Sequence, residues 1–135
     1  MEKITVEAKV DNLQQVIDFV TGQLEAHDCS MKATMQMELV VEEIFVNIAS
    51  YAYQTGNGPA TICVDFEENP TAVLVTFIDA GKPYNPLQKE DPDTTLAVED
   101  REIGGLGIFL VKKNVDELTY DYKDGQNILS VKKFF

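Results

Sequence analysis

The sequence predicts an α+β domain of two layers, in which a mixed and mostly antiparallel sheet carries about three helices on one face. Segments with the alternating apolar and polar pattern of strands come mostly in neighbouring pairs, and segments with helical spacing of apolar residues separate them. The chain has 135 residues, which is the length of one domain. We therefore expect residues 1–135 to form a single domain.

The first third of the chain is predicted to form one strand and two helices. Residues 3–10, KITVEAKV, alternate as a half-buried strand does. Asp11 is a candidate N-cap for a helix that ends at about Ala26, and Ser30 for a longer helix that ends at about Tyr53. The apolar face of the first helix is predicted to contain Leu13, Val16, Ile17, Val20 and Leu24.

The remaining elements are four strands and one helix. The turn cluster QTGNGP at 54–59 leads into two strand-like runs, ATICVDF and AVLVTFI. A third helix is expected over about 105–114. The chain closes with ELTYDYK and NILSVKKFF, and the Asp124-Gly125 dipeptide between them predicts a β-hairpin.

Composition and charge exclude several classes of function. The formal net charge is −12, from 23 acidic and 11 basic residues, which disfavours binding to nucleic acid because such sites need a basic face. No apolar run approaches the roughly 18 residues of a membrane span, and no signal peptide opens the chain. Cys29 and Cys63 lie outside any metal or redox spacing, so we expect a reducing cytoplasm. His27 is the only histidine, which weakens schemes that depend on a catalytic or metal-binding histidine.

Two polar residues lie near the apolar stripe of the second helix. Asn47 follows Val40 by seven residues and Ile44 by three, so it lies on or beside that stripe. Glu43 is four residues before Asn47 and lies about 40° from it around the helix, whereas Glu42 lies about 140° away. If one of the two glutamates has a chemical role, geometry favours Glu43. The alternative is a solvated helix flank on which the asparagine bonds to neighbouring backbone.

A further acid and a glycine-rich segment follow the third strand. Asp79 ends the apolar run AVLVTFI, and Gly81 comes two residues later; the pair is either a turn or a ligand group at the edge of the sheet. The 22 residues of 82–103 form a long connection, which in a small domain is usually a lid or disordered. The connection leads into the segment REIGGLGIFLV, in which glycines precede a helix, and such a helix start can bind an anion. The alternative is a flexible loop beside a helix.

In this order, the motifs resemble those of the serine kinase/anti-sigma factors of bacterial partner-switching systems. That family belongs to the ATPase superfamily that includes gyrase, a heat-shock chaperone ATPase and the sensor histidine kinases. The similarity covers nearly the whole chain. It is most specific in the segments ELVVEEIFVNIASYAY, FIDAGKPYNP, REIGGLGIFLVKKNVDELTY and GQNILSVKKF.

The resemblance implies the Bergerat ATP-binding fold, with a mobile ATP lid at about 82–103. It implies that Asn47 ligates Mg²⁺, that Glu43 is the general base, and that Asp79 accepts a hydrogen bond from the adenine amino group. It further implies that Gly81 lets the base lie against the backbone. The remaining ATP-binding positions would be Arg101, near the terminal phosphate or the protein partner, and the glycine turn Gly104, Gly105, Leu106 and Gly107 around the phosphates.

The implied function is an ATP-dependent protein serine kinase that binds a sigma factor and phosphorylates a small anti-anti-sigma antagonist. Homodimers are usual in the family. The sequence departs from the family pattern at Tyr51, where a histidine is common, and at Tyr84-Asn85-Pro86, where Phe-Asp-Pro is common. The alternative function is an ATP-binding regulatory module that sequesters a partner without phosphoryl transfer.

Overall fold

Strands and helices follow one another in the predicted order in the part of the chain that the structure, a computed structural model, describes: residues 1–53, 56–88 and 105–135. The elements are β1 (Glu2–Glu7), α1 (Leu13–Ala26), α2 (Met31–Tyr51), β2 (Pro59–Glu67), β3 (Ala72–Asp79), α3 (Gly105–Asn114), β4 (Glu117–Lys123) and β5 (Gln126–Phe134), with short 3₁₀ turns at Val10–Asn12 and Pro86–Gln88.

The strands of the described residues form one five-stranded sheet in the order β1-β2-β3-β5-β4. Every neighbouring pair is antiparallel. The last hairpin inserts β5 beside β3 and leaves β4 at the edge. This register places Asn127 of β5 directly opposite Asp79 of β3. The predicted α+β class is confirmed.

The hydrophobic core lies between one face of the sheet and the helices. In β2 and β3 every second side chain is buried, as the alternating pattern predicts for strands with one covered face. The buried residues from these elements include Val16, Val20 and Leu24 of α1, Met37, Val40 and Ile44 of α2, Ile62 and Val64 of β2, and Val73, Val75 and Phe77 of β3. None of the described helices is long and apolar enough to cross a membrane.

Of the two predicted N-caps, Ser30 is confirmed and Asp11 is wrong. The Ser30 side chain accepts a hydrogen bond from the Ala33 N–H at 3.2 Å, so it caps α2 as predicted. Asp11 does not cap α1, because residues Val10–Asn12 form a 3₁₀ turn before the helix begins. In that turn the Asn12 side chain donates to the Glu7 carbonyl at 2.9 Å.

The predicted β-hairpin at the end of the chain is confirmed. Asp124 and Gly125 both have positive φ, 55° and 78°, as a two-residue type I′ turn requires. Of the segment 82–103, predicted to be a lid, the structure describes residues 82–88. Residues 89–103, with Arg101, lie outside the described residues, as does Gly104.

Candidate functional site

A pocket lies where the end of β3 meets α2 and α3. Its walls are mainly apolar and include Ile44, Ile48, Phe77, Ile108 and Leu129. Its polar lining includes Asn47 from α2, Asp79 from β3 and Asn127 from β5, together with Lys82 and the tyrosines Tyr51, Tyr84 and Tyr120. An apolar cavity with a few convergent polar groups is the usual form of a small-molecule site. The fold therefore brings two of the predicted site residues, Asn47 and Asp79, into one pocket.

Asp79 is buried, with 6% of the residue's surface exposed, and the two oxygens of its carboxylate differ in their partners. Oδ1 accepts hydrogen bonds from the Gly81 N–H and from Asn127 Nδ2, both at 2.9 Å. No described residue donates to Oδ2. Because a buried acceptor without a partner is costly, this oxygen is suited to a ligand that brings a hydrogen-bond donor.

Asn127 is a buried polar residue that the sequence analysis did not assign to the site; 6% of its surface is exposed. Besides Asp79, its Nδ2 donates to the Lys82 carbonyl at 2.9 Å. Its Oδ1 accepts from the Tyr84 N–H at 3.1 Å and from the Tyr120 hydroxyl. A signal for Asn127 was present in the sequence: it occupies an inward position of β5, in alternation with Leu129 and Val131.

Tyr53 is a second residue that the sequence analysis left without a role near the pocket. Its hydroxyl donates to the Pro59 carbonyl at 2.6 Å and accepts from the Ala80 N–H at 2.9 Å. One side chain thus joins the residues after α2, the start of β2 and the residue that follows β3. The contact holds the backbone beside Asp79 in place.

The helix α2 separates the two adjacent glutamates as its geometry predicts. Glu42 is exposed, whereas Glu43 is half-buried on the side that faces α3. Burial, and to a smaller extent the charge of Glu42, raises the pKa of the Glu43 carboxyl above its usual value. A glutamate with a raised pKa is a stronger proton acceptor once it is ionised.

Glu43 lies against the first turn of α3. A Cβ placed on Gly107 would stand 2.6 Å from Glu43 Oε2, so a side chain at this position would displace the carboxylate. Gly105 begins α3, and Leu106 and Gly107 continue its first turn. The N–H groups of that turn, which have no partner within the helix, therefore lie on the same side of α3 as the Glu43 carboxylate.

Gly81 is required by its protein neighbours. A Cβ at this position would lie 2.2 Å from the Ala52 carbonyl oxygen, where the Lys82 N–H donates to the same oxygen at 2.9 Å. The backbone after β3 thus touches the end of α2 directly. The sequence resemblance gave Gly81 a role beside a ligand, and the structure adds a packing reason for the glycine.

Replacing Gly81 with alanine is expected to destabilise the protein by about 1–3 kcal/mol, because the added methyl group meets backbone that cannot rotate away. The free energy of unfolding in urea measures the effect. Gly22→Ala is the matched control: it lies inside α1 with no atom within 4 Å of its added Cβ, and it is expected to stabilise the helix by about 0.5–1 kcal/mol. Equal stability of wild type and Gly81→Ala would contradict the close approach.

Comparison with known proteins identifies the family of the chain. Residues 6–133 match the family model of the histidine kinase-like ATPase domain. The serine/threonine-protein kinase BtrW of Bordetella bronchiseptica is 28% identical over 102 residues, which cover 76% of this chain and 71% of that protein. The serine-protein kinases RsbW of Bacillus thuringiensis and Bacillus anthracis are 24% and 26% identical over 98 residues, 71% of this chain.

The chain spans 61% of the length of these two Bacillus proteins. The family match covers nearly all of the chain, including α2, the end of β3 and α3, which surround the pocket. The resemblance inferred from the motifs is confirmed: this chain belongs to the family of histidine kinase-like ATPase domains.

Proposed function

We propose that this protein is an ATP-dependent protein serine kinase that acts as an anti-sigma factor, binding a sigma factor and phosphorylating a small anti-anti-sigma antagonist. Family membership and the kinase names of the relatives support the class of reaction. The observation that carries the proposal is Oδ2 of the buried residue Asp79, an acceptor without a donor among the described residues, in the lining of a mainly apolar pocket.

The adenine end of the proposed site is built around that acceptor. The exocyclic amino group of adenine donates to Asp79 Oδ2, and the flat base packs between apolar walls that include Phe77 and Ile108. The backbone at Gly81 lies beside this contact. An apolar slot with one oriented acceptor binds a planar base that carries a donor at the matching edge.

The phosphate end of the proposed site lies between α2 and α3. The side-chain carbonyl of Asn47 is the proposed ligand of Mg²⁺, an ion that prefers oxygen and is often held by few protein groups together with phosphates and water. When bound, the metal would neutralise part of the negative charge of the phosphates. The backbone of Gly104, Gly105, Leu106 and Gly107 is proposed to bind the phosphates at the start of α3, with Arg101 near the terminal phosphate.

Glu43 is the proposed general base. It accepts the proton of a serine or threonine hydroxyl on the antagonist while the hydroxyl oxygen forms a bond to the γ-phosphorus of ATP. The bond from that phosphorus to the β-γ bridging oxygen breaks, and ADP leaves. Partial burial and the raised pKa of Glu43 suit this step, because the carboxylate gains a proton as the hydroxyl loses one.

The partner proteins follow from the family and the charge. A sigma factor with a basic surface complements a chain of net charge −12. We further propose that two copies of the chain associate, as the family resemblance implies, and that the protein acts in the cytoplasm.

Thermal unfolding with and without Mg²⁺–ATP tests the nucleotide site. ATP at 100 times its dissociation constant is expected to stabilise wild type by about 2.7 kcal/mol, which raises the midpoint by several degrees. Asn47→Ala is expected to lose the part of this shift that depends on Mg²⁺, so that it resembles wild type measured with ATP and EDTA.

Ser50→Ala, an exposed position of the same helix, serves as the control and is expected to keep the full shift. A wild-type protein that is indifferent to nucleotide over a wide concentration range would overturn the proposed function. A full Mg²⁺-dependent shift in Asn47→Ala would overturn the assignment of the metal ligand alone.

A further inference from the structure

We infer that Asn127 is a positioning residue that sets the base preference of the nucleotide pocket, because it determines which oxygen of Asp79 faces the ligand. The inference rests on the proposed function, since it concerns the same pocket. It assigns a role to a residue of β5 that does not itself need to touch the nucleotide.

Asn127 uses its complete hydrogen-bonding capacity on the protein. A side-chain amide has two N–H donors and two lone pairs on its oxygen. The donors go to Asp79 Oδ1 and the Lys82 carbonyl, each at 2.9 Å. The lone pairs accept from the Tyr84 N–H and the Tyr120 hydroxyl. These four contacts determine which end of the amide is nitrogen, and they leave it no freedom to rotate by 180°.

This orientation determines the state of the Asp79 carboxylate. Oδ1 accepts two hydrogen bonds, one from the Asn127 amide and one from the Gly81 N–H. Oδ2 is left as an acceptor, and Asp79 cannot turn without breaking both bonds to Oδ1. The pocket therefore presents an acceptor and no donor at this point, and it accepts a ligand that brings an N–H group.

The chemical consequence is selection between 6-amino and 6-oxo purines. Adenine presents an amino donor to Asp79 Oδ2, whereas guanine and hypoxanthine present an oxygen at the same position. Two acceptors facing each other in a buried site leave both without a partner, which is the situation that binding sites reject most strongly. Asn127 maintains this selection against 6-oxo purines, because its hydrogen bond to Oδ1 leaves Oδ2 as the acceptor that faces the ligand.

Loss of Asn127 is expected to relax the selection. In Asn127→Ala, water can enter the vacated space and Asp79 keeps one fixed partner, so the carboxylate turns and a bridging water can donate to a 6-oxo group. In Asn127→Asp, two carboxylates stand side by side and share a proton, and such a pair can donate as well as accept. Both changes permit binding of the wrong base through different chemistry.

The test compares the affinities for ATP and ITP, which differ at the purine 6-position, in the full chain at pH 7 with Mg²⁺. Wild type is expected to prefer ATP. Each Asn127 variant is expected to bind ATP more weakly and to lose about tenfold or more of the preference. Ser130→Ala is the control, because it removes the Thr76–Ser130 hydrogen bond of 3.1 Å between the same two strands. It is expected to retain the wild-type ratio.

The ratio of the two affinities separates positioning from mere stability. A residue that only supports the fold would lower both affinities equally, so an unchanged ratio in a folded Asn127 variant overturns the inference. If Asn127→Ala does not fold, Asn127→Asp, which keeps the shape of the side chain, decides the question. If wild type binds neither nucleotide, the proposed function has failed instead.

Discussion

Glu43→Gln is expected to lower the rate of phosphoryl transfer by about 10²–10⁴-fold while ATP still binds. Glutamine keeps the size and shape of the side chain, yet it cannot accept the hydroxyl proton. The rate is measured in a single turnover, as transfer of labelled γ-phosphate from ATP to a serine-bearing antagonist protein from the same genome. Nucleotide binding, measured separately by thermal unfolding, is expected to stay near the wild-type level.

Glu42→Gln provides a matched control for this experiment. The two glutamates are neighbours in the chain, carry the same charge and lie on the same helix, but Glu42 is exposed and points away from α3. Its replacement is expected to change the rate by less than about twofold, because the charge of Glu42 is exposed and screened and is the smaller of the two causes that raise the pKa of Glu43. Transfer at the wild-type rate in Glu43→Gln would contradict the assignment of the base.

The same experiment separates the kinase from an ATP-binding module that sequesters a partner without transfer. If wild type binds ATP and its partner but transfers no phosphate to any antagonist offered, and Glu43→Gln leaves partner affinity unchanged, the module is the better description. A rate that depends on Glu43 and not on Glu42 supports the kinase.

Asp79→Ala is expected to abolish the thermal shift produced by Mg²⁺–ATP. The variant loses the acceptor for the adenine amino group, and a site that has lost its one oriented partner for the base is expected to bind at least about 100-fold more weakly. Without nucleotide, the variant is also expected to be less stable by about 1–3 kcal/mol, because the Gly81 N–H and one N–H of Asn127 lose their acceptor.

The shift of Asp79→Ala is therefore measured against its own midpoint without nucleotide. Asp65→Ala is the control. Asp65 is an exposed residue of β2, which pairs with β3 in the same sheet. It does not line the pocket. It is expected to keep the full ATP shift. An undiminished shift in Asp79→Ala would place the adenine contact elsewhere.

Local pattern was sufficient for most of the secondary structure. Alternation marked the strands because one face of the sheet is covered by helices and the other is not. The four-residue spacing of Val16, Val20 and Leu24 marked the buried side of α1, and these side chains are in the core. The choice of Glu43 over Glu42 also followed from helix geometry alone, since residues four apart lie on the same side of a helix.

The sequence analysis was wrong about the start of α1 and incomplete about Gly81. Asp11 has the side chain of an N-cap, but the chain forms a 3₁₀ turn at Val10–Asn12 before α1 begins. The role of Gly81 beside a ligand stays a prediction, and its contact with the Ala52 carbonyl could not be foreseen from the sequence. That contact joins the end of β3 to the end of α2, and β2 lies between these two elements in the chain. The periodic patterns of single elements do not predict such a contact.

The sequence by itself determined the types of the elements, the two-layer class, the buried sides of α1 and α2 and, through its motifs, the family of the domain. Each of these depends on residue spacing along one element or on a short motif. The tertiary structure decided which residues line the pocket together. Pairing of β5 with β3, instead of a simple succession of strands, places Asn127 beside Asp79. A hydrogen bond between side chains 48 positions apart depends on strand order and register, which arise only when the whole sheet closes over its core.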